Sequence, residues 1–157
     1  ACGRLVGAAR SRDVPVVHCV AQWRPDRRGT ALNTPLTRAL ARNPEQILAG
    51  SPAVELVAEL GDTSGDLTSV RHHGLTPFTG TDLDALLRSL EVSTVVVCGV
   101  SLNVGVLGLC LSAADLGYRV VVASDAVVGV PAEYGDSVIA HTLAMVATIA
   151  TVSDLLA

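Results

Sequence analysis

The sequence predicts a three-layer α/β/α domain on a largely parallel central sheet, and three observations carry that prediction. Residues 93–126 read as strand, tight turn, apolar helix, turn and strand, which is a βαβ unit with a right-handed crossover. Two more short β-branched runs, at 14–20 and 67–70, stand apart from it with helical and polar segments between, the alternation expected of an α/β sheet. The chain has 157 residues, 50% hydrophobic and only 17% charged, enough apolar material for one domain spanning 1–157 with a substantial core.

Taken in order, residues 3–12 read as a helix and 14–20 as a buried strand. The stretch 22–50, rich in Arg, Pro, Asn and Thr, reads as an irregular loop long enough to be functional. Ser51 and Pro52 are an N-cap and first helical residue, predicting a helix through Val54, Leu56, Val57 and Leu60. A polar turn at 61–65 precedes a short strand at 67–70, and Thr81 with Asp84 makes a capping-box variant for the next helix. Residues 94–98 form a strand broken by Gly99, and Asn103 is placed to cap the helix that follows, with Gly117 supplying its left-handed stop. Residues 119–123 return as a strand closing on Asp125 and Ala126. Asp125 is expected to hold the loop that follows. Pro131 opens a last long helix, and 147–152 makes a final strand.

Composition excludes several function classes. No apolar run approaches the roughly 18 residues that span a bilayer, so no membrane partner is expected. A net charge of −4 argues against nucleic acid, since Arg27-Arg28 is one basic pair and no patch. Cys2, Cys19, Cys98 and Cys110 form no CxxC and no ligand spacing with histidine; they read as buried free thiols of a reducing cytoplasm. Gly99, Gly105 and Gly108 are spaced by six and three positions, which is not a dinucleotide fingerprint, so no cofactor is expected.

Two stretches are specific enough to compare with a family. One runs from Gly99-Val100-Ser101 through the helix to Gly117-Tyr118 and on to Asp125-Ala126; the other is Phe78-Thr79-Gly80-Thr81-Asp82-Leu83-Asp84. Together they resemble the isochorismatase-like (cysteine hydrolase) superfamily, which includes isochorismatases, nicotinamidases and N-carbamoylsarcosine amidases. The resemblance implies a homo-oligomer, dimer or tetramer, and a triad of an aspartate on a first strand, a lysine ahead of a Ser-Ala-Phe-like segment and a cysteine opening the helix. On this alignment the cysteine position falls on Gly105 and the lysine position on His72. All eleven basic residues are arginine, so no lysine exists to replace it. The aspartate strand is expected in a segment ahead of residue 1.

The same resemblance places Ser101 beside an oxyanion hole after a cis peptide, and puts Trp23, His73, Phe78, Leu102 and Asn103 around the pocket. Nicotinamidases carry an Asp/His metal site after the corresponding strand; residues 21–26 offer Asp26 and no histidine, so no metal is expected. An imidazole at His72 can serve as an acid or base near neutral pH, or simply fill a vacated site. Trp23 reads as a packing residue first and a ligand-stacking surface second. Two functions follow. The first is a pseudo-enzyme that keeps a pocket for a small molecule or anion without triad chemistry. The second is a hydrolase of amide or related C–N bonds using His72 or His73 with water or an unusual nucleophile.

Overall fold

The computed structural model describes residues 1–43 and 47–157. Five strands and seven α-helices alternate along it: α1 Cys2–Arg10, β1 Val17–Ala21, α2 Pro35–Arg42, β2 Leu67–Arg71, α3 Leu83–Ser89, β3 Thr94–Val100, α4 Leu107–Asp115, β4 Arg119–Val128, α5 Ala132–Val138, α6 Ala144–Val146, β5 Thr148–Ala150 and α7 Val152–Leu156. Every strand pair is parallel, as crossover connections through helices require. The βαβ unit from β3 through α4 to β4 is present, in register from Thr94 opposite Arg119 to Val97 opposite Val122, with an irregularity before Gly99.

The sheet is divided. β1 pairs with β2, and β3, β4 and β5 form a second sheet in that order, with no ladder joining the two among the described residues. The main core lies on the three-stranded side: Val97, Val120 and Val122 of the strands pack with Leu83 and Leu87 of α3, Cys110 and Ala113 of α4, and Leu143. Tyr118 closes its edge, stacked on Phe78 with centroids 6.1 Å apart and its hydroxyl donating to the Asp84 carboxylate at 2.7 Å. A smaller cluster of Ala123, Ala126 and Val152 takes Cys2 and Leu5 of α1 against the opposite face.

Several elements differ from the sequence expectation, each for a local reason. The loop at 22–50 contains α2, started by Pro35 at its first position and by a reciprocal box: Thr37 N–H donates to the Thr34 hydroxyl at 3.1 Å and Thr34 N–H to the Thr37 hydroxyl at 3.2 Å. Residues 44–46 of that loop lie outside the described residues. The helix expected after Ser51 is two single 3₁₀ turns, Pro52–Val54 and Ala58–Leu60, with extended backbone at Glu55 and Val57 that turns Leu56, Val57 and Leu60 toward an internal cavity. Thr81 does not complete a box with Asp84: its hydroxyl donates to the Pro77 carbonyl and accepts from Leu83 N–H, while Asp84 serves Tyr118 and Arg88. The final strand is three residues long, because Thr151 caps α7 through Asp154. Asp125 accepts from the Val152 N–H at 2.7 Å and so ties β4 to the start of that helix.

Candidate functional site

The carboxyl ends of the strands are where α/β folds place their ligands, and here they surround the mouth of a cavity of about 570 Å³ between β1 and β3. Ala21, Arg71, Pro77, Phe78, Gly99, Val100 and Gly105 line that mouth. β3 delivers Gly99 and Val100; the chain then turns through the cis Val100–Ser101 peptide into a π-helical turn, Leu102–Val106, which runs on as α4. Gly105 therefore sits on the first turn of a continuous helix beside the end of its strand. A Cβ built on it would meet only the Val100 carbonyl oxygen, at 3.8 Å, so the position is open and of ordinary backbone conformation.

Of the residues singled out in the sequence, Phe78 and Gly105 line this cavity. Ser101 follows directly, its carbonyl accepting from Val104 and Val106 N–H. Leu102 is buried in the core beneath, and Asn103 does not cap the helix: its amide donates to the Val130 carbonyl at 2.9 Å and its oxygen accepts from Val130 N–H at 3.2 Å. The N-cap residue is Ser101, two residues earlier than expected, and the helix begins with the wider π geometry. His72 is exposed, outside the cavity lining, with Nδ1 3.2 Å from the Gln22 carbonyl oxygen. His73 packs against Gly80, whose φ of +72° lets the backbone pass under the ring. Trp23 is buried, held by backbone bonds to Ile47 and Ala49 and covered by the Arg27 guanidinium, so its place is in loop packing.

Arg71 is the charged residue that the sequence reading missed. It closes β2 and lines the cavity with Ser69, two residues earlier on the same face. Its guanidinium donates to the Gly74 carbonyl, and no carboxylate pairs with it among the described residues. Desolvation lowers its pKa, as it must for a cation drawn into apolar surroundings. Period-two alternation along 67–71 was the signal that could have found it.

The thiols are not poised for attack. Burial pushes Cys98 up to about 12, with Cys2 beside it adding to the shift, and pushes Cys110 up to about 11. Cys19 is also raised to about 11 by desolvation, against the lowering effect of Arg71. A nucleophilic cysteine needs the opposite environment. No cluster of His, Cys, Asp and Glu able to hold a metal ion occurs among the described residues, and no described helix is long and apolar enough to cross a membrane.

Comparison with known proteins identifies the scaffold. The family model described as "Isochorismatase domain" matches residues 1–154. An uncharacterized isochorismatase family protein of Escherichia coli O157:H7, YecD, is 30% identical over 154 residues, covering 98% of this chain and 79% of that protein. The solved structure of an isochorismatase family protein from Desulfovibrio vulgaris superposes with a TM-score of 0.86 at 29% identity, over 98% of this chain and 79% of the other. N-carbamoylsarcosine amidase from Thermoplasma acidophilum shares the fold at 23% identity and a TM-score of 0.76, over 96% and 79%. With matches that run through both stretches of the cavity mouth, the chain belongs to the isochorismatase family.

Proposed function

We propose that this chain is a non-hydrolytic member of its family, one that holds a small anionic molecule at the carboxyl rim and lacks the chemistry to cleave it. The observation that carries this reading is Gly105. At the helix start facing the cavity mouth the chain presents bare backbone, and desolvation raises the pKa of both neighbouring thiols, half-buried Cys98 and buried Cys110. Acyl transfer through a covalent intermediate requires a nucleophile activated by a base within hydrogen-bond reach. His72 is directed to the Gln22 carbonyl and His73 is packed on Gly80, so neither histidine stands as the base that the hydrolase alternative assigns to it. Arg71 supports a ligand of negative charge, because a planar guanidinium drawn into an apolar cleft is matched best by a carboxylate or phosphate. A single domain, a homo-oligomeric state and a cytoplasmic setting belong to the same reading.

The test is Gly105→Cys, measured beside the unmodified protein and beside Gly105→Cys with His72→Lys. Room for the side chain exists, so the variant should fold. A thiol on a helix's first turn is favoured as the anion and should outpace Cys98 and Cys110 toward iodoacetamide. It should still hydrolyse neither nicotinamide nor N-carbamoyl amines, because catalytic groups that act as a unit do not recover singly. Robust turnover by Gly105→Cys alone, or by the unmodified protein in a form abolished by alkylation, would replace this reading with the hydrolase one.

A further inference from the structure

Cys2 and Cys98 are distant in sequence and adjacent in the fold. The ladder of β3 and β4 loses its register between Val97, opposite Val122, and Gly99, opposite Val127, so that Cys98 alone stands opposite residues 123–126. The Cys2 thiol donates to the Ala126 carbonyl at 3.2 Å, within that same interval. Ala123 and Ala126 form the smaller core cluster with Val152, and both cysteines pack against it. The two sulfurs act on one another: burial first, and then the Cys2 thiol beside it, raise the Cys98 pKa to about 12.

The placement is fixed from the helix side as well. Besides the Cys2 bond to Ala126, Gly3 brings α1 so close to the Glu59 carbonyl oxygen that a Cβ would lie 2.4 Å from it, and the Arg4 guanidinium donates to the Ser153 hydroxyl at 3.2 Å. The other cysteines stand elsewhere. Cys110 is wholly buried in the main core, and Cys19 lies on the separate two-stranded sheet, within the field of Arg71 and Asp82. Cys2 and Cys98 are both half-buried, so the pair keeps contact with solvent.

We infer that Cys2 and Cys98 are a site of reversible oxidation, which closes to a disulfide under a peroxide and reopens under a dithiol. In the first step the Cys2 sulfur attacks one peroxide oxygen and the O–O bond breaks. The departing oxygen leaves as water with the thiol proton, and Cys2 becomes a sulfenic acid. In the second the Cys98 sulfur attacks the Cys2 sulfur and the S–O bond breaks, the hydroxyl leaving as water with the Cys98 proton. Two electrons pass from the sulfurs to the peroxide, and each peroxide consumed yields two waters. The order follows from burial, because a thiol raised as Cys98 is raised meets a free oxidant slowly, whereas a sulfenic acid held beside it is attacked within the molecule. The link would join the start of α1 to β3 just before Gly99 and the cis Val100–Ser101 peptide that open the cavity mouth. It would also close a long loop, a constraint that acts mainly on the unfolded chain.

The test treats the 157-residue protein with equimolar hydrogen peroxide. Two of the four thiols, titrated after denaturation, should be lost, and the intact mass should fall by two hydrogens. Digestion without reductant should join the peptide holding Cys2 to the one holding Cys98, with fragmentation separating Cys98 from Cys110 on the same tryptic peptide. Dithiothreitol should restore all four thiols, and the oxidised form should unfold at higher denaturant concentration than the reduced one. Cys98→Ala should leave Cys2 as a sulfenic acid that a cyclic dione captures, and Cys2→Ala should leave Cys98 reduced under the same treatment. Four thiols remaining after peroxide, or Cys2 carried on to the sulfinic acid while Cys98 stays reduced, would overturn the proposal. So would a link to Cys19 or Cys110, or a link between two molecules seen as a dimer on a non-reducing gel. The thiol count and the position of the link need only the unmodified protein, and neither depends on Gly105, Arg71 or a small ligand.

Discussion

Asp66 shows at the scale of one residue how the amino-end rim is held and how it should fail. Its carboxylate is buried between the Arg10 guanidinium and His18, whose Nε2 lies 2.7 Å away. The hydrogen bonds from Arg10 first, and then from His18, hold its pKa down at about 2, against the usual 3.8. A depressed carboxyl pKa contributes stability that is fully present above the unfolded value and is lost as pH falls through the folded one. Denaturant midpoints should therefore drop between about pH 4 and pH 2 in the unmodified protein, and Asp66→Asn should flatten that part of the profile. The variant should cost about 1–3 kcal/mol near pH 7, the penalty for stranding charged donors, with the partly exposed Arg10 placing it toward the low end. A pH profile unchanged by Asp66→Asn would remove this network from the account. The residues that line the cavity mouth divide at the same scale. Gly105 and Phe78 were legible because two motif stretches fix their positions, whereas Arg71 was passed over because sequence alignment pointed to its neighbour His72, and only the strand's alternation shows which of the two enters the cavity.

Helix α1 carries a sharper test at the scale of the element, because two of its glycines sit in opposite settings. A Cβ on Gly3 would lie 2.4 Å from the Glu59 carbonyl oxygen, so that glycine lets α1 approach the 3₁₀ turn Ala58–Leu60. A Cβ on Gly7 meets nothing within 4 Å. Alanine gains up to about 1 kcal/mol over glycine inside a helix, while overpacking costs about 1–3 kcal/mol. Gly3→Ala should accordingly lower the thermal midpoint and Gly7→Ala should raise it, and the same sign for both would contradict the packing of α1. Elements were legible where one physical signal dominated: the β-branched runs gave β1, β2, β3 and β4 to within a few residues. They were not legible where capping chemistry was disguised. α2 is started by a Thr34/Thr37 pair in place of the usual Thr with Glu or Gln, and the segment after Pro52 alternates tight turns with extended residues that set Leu56 and Leu60 along the cavity wall without a helix.

For the whole molecule, the α/β class followed from composition and one βαβ unit, but the division of the sheet did not, because strand order is a non-local property that periodicity along the chain does not encode. The division decides how the large cavity is understood. Its lower part is bounded by strand edges and apolar helices, and only its mouth, with Arg71, Phe78 and Gly105, has the mixed character of a ligand site. The central claim is that this mouth binds without cleaving. Its most direct test puts binding and turnover on one sample: titration calorimetry with a small aromatic carboxylate and its neutral amide, followed by mass spectrometry of the amide sample after prolonged incubation, for the unmodified protein and for Arg71→Gln. The account predicts that the carboxylate binds to the unmodified protein at least about tenfold more tightly than the amide, a preference worth about 1.4 kcal/mol, that Arg71→Gln removes the preference, and that the amide is recovered intact. Hydrolysed amide from the unmodified protein, or a carboxylate preference that survives in Arg71→Gln, would contradict it.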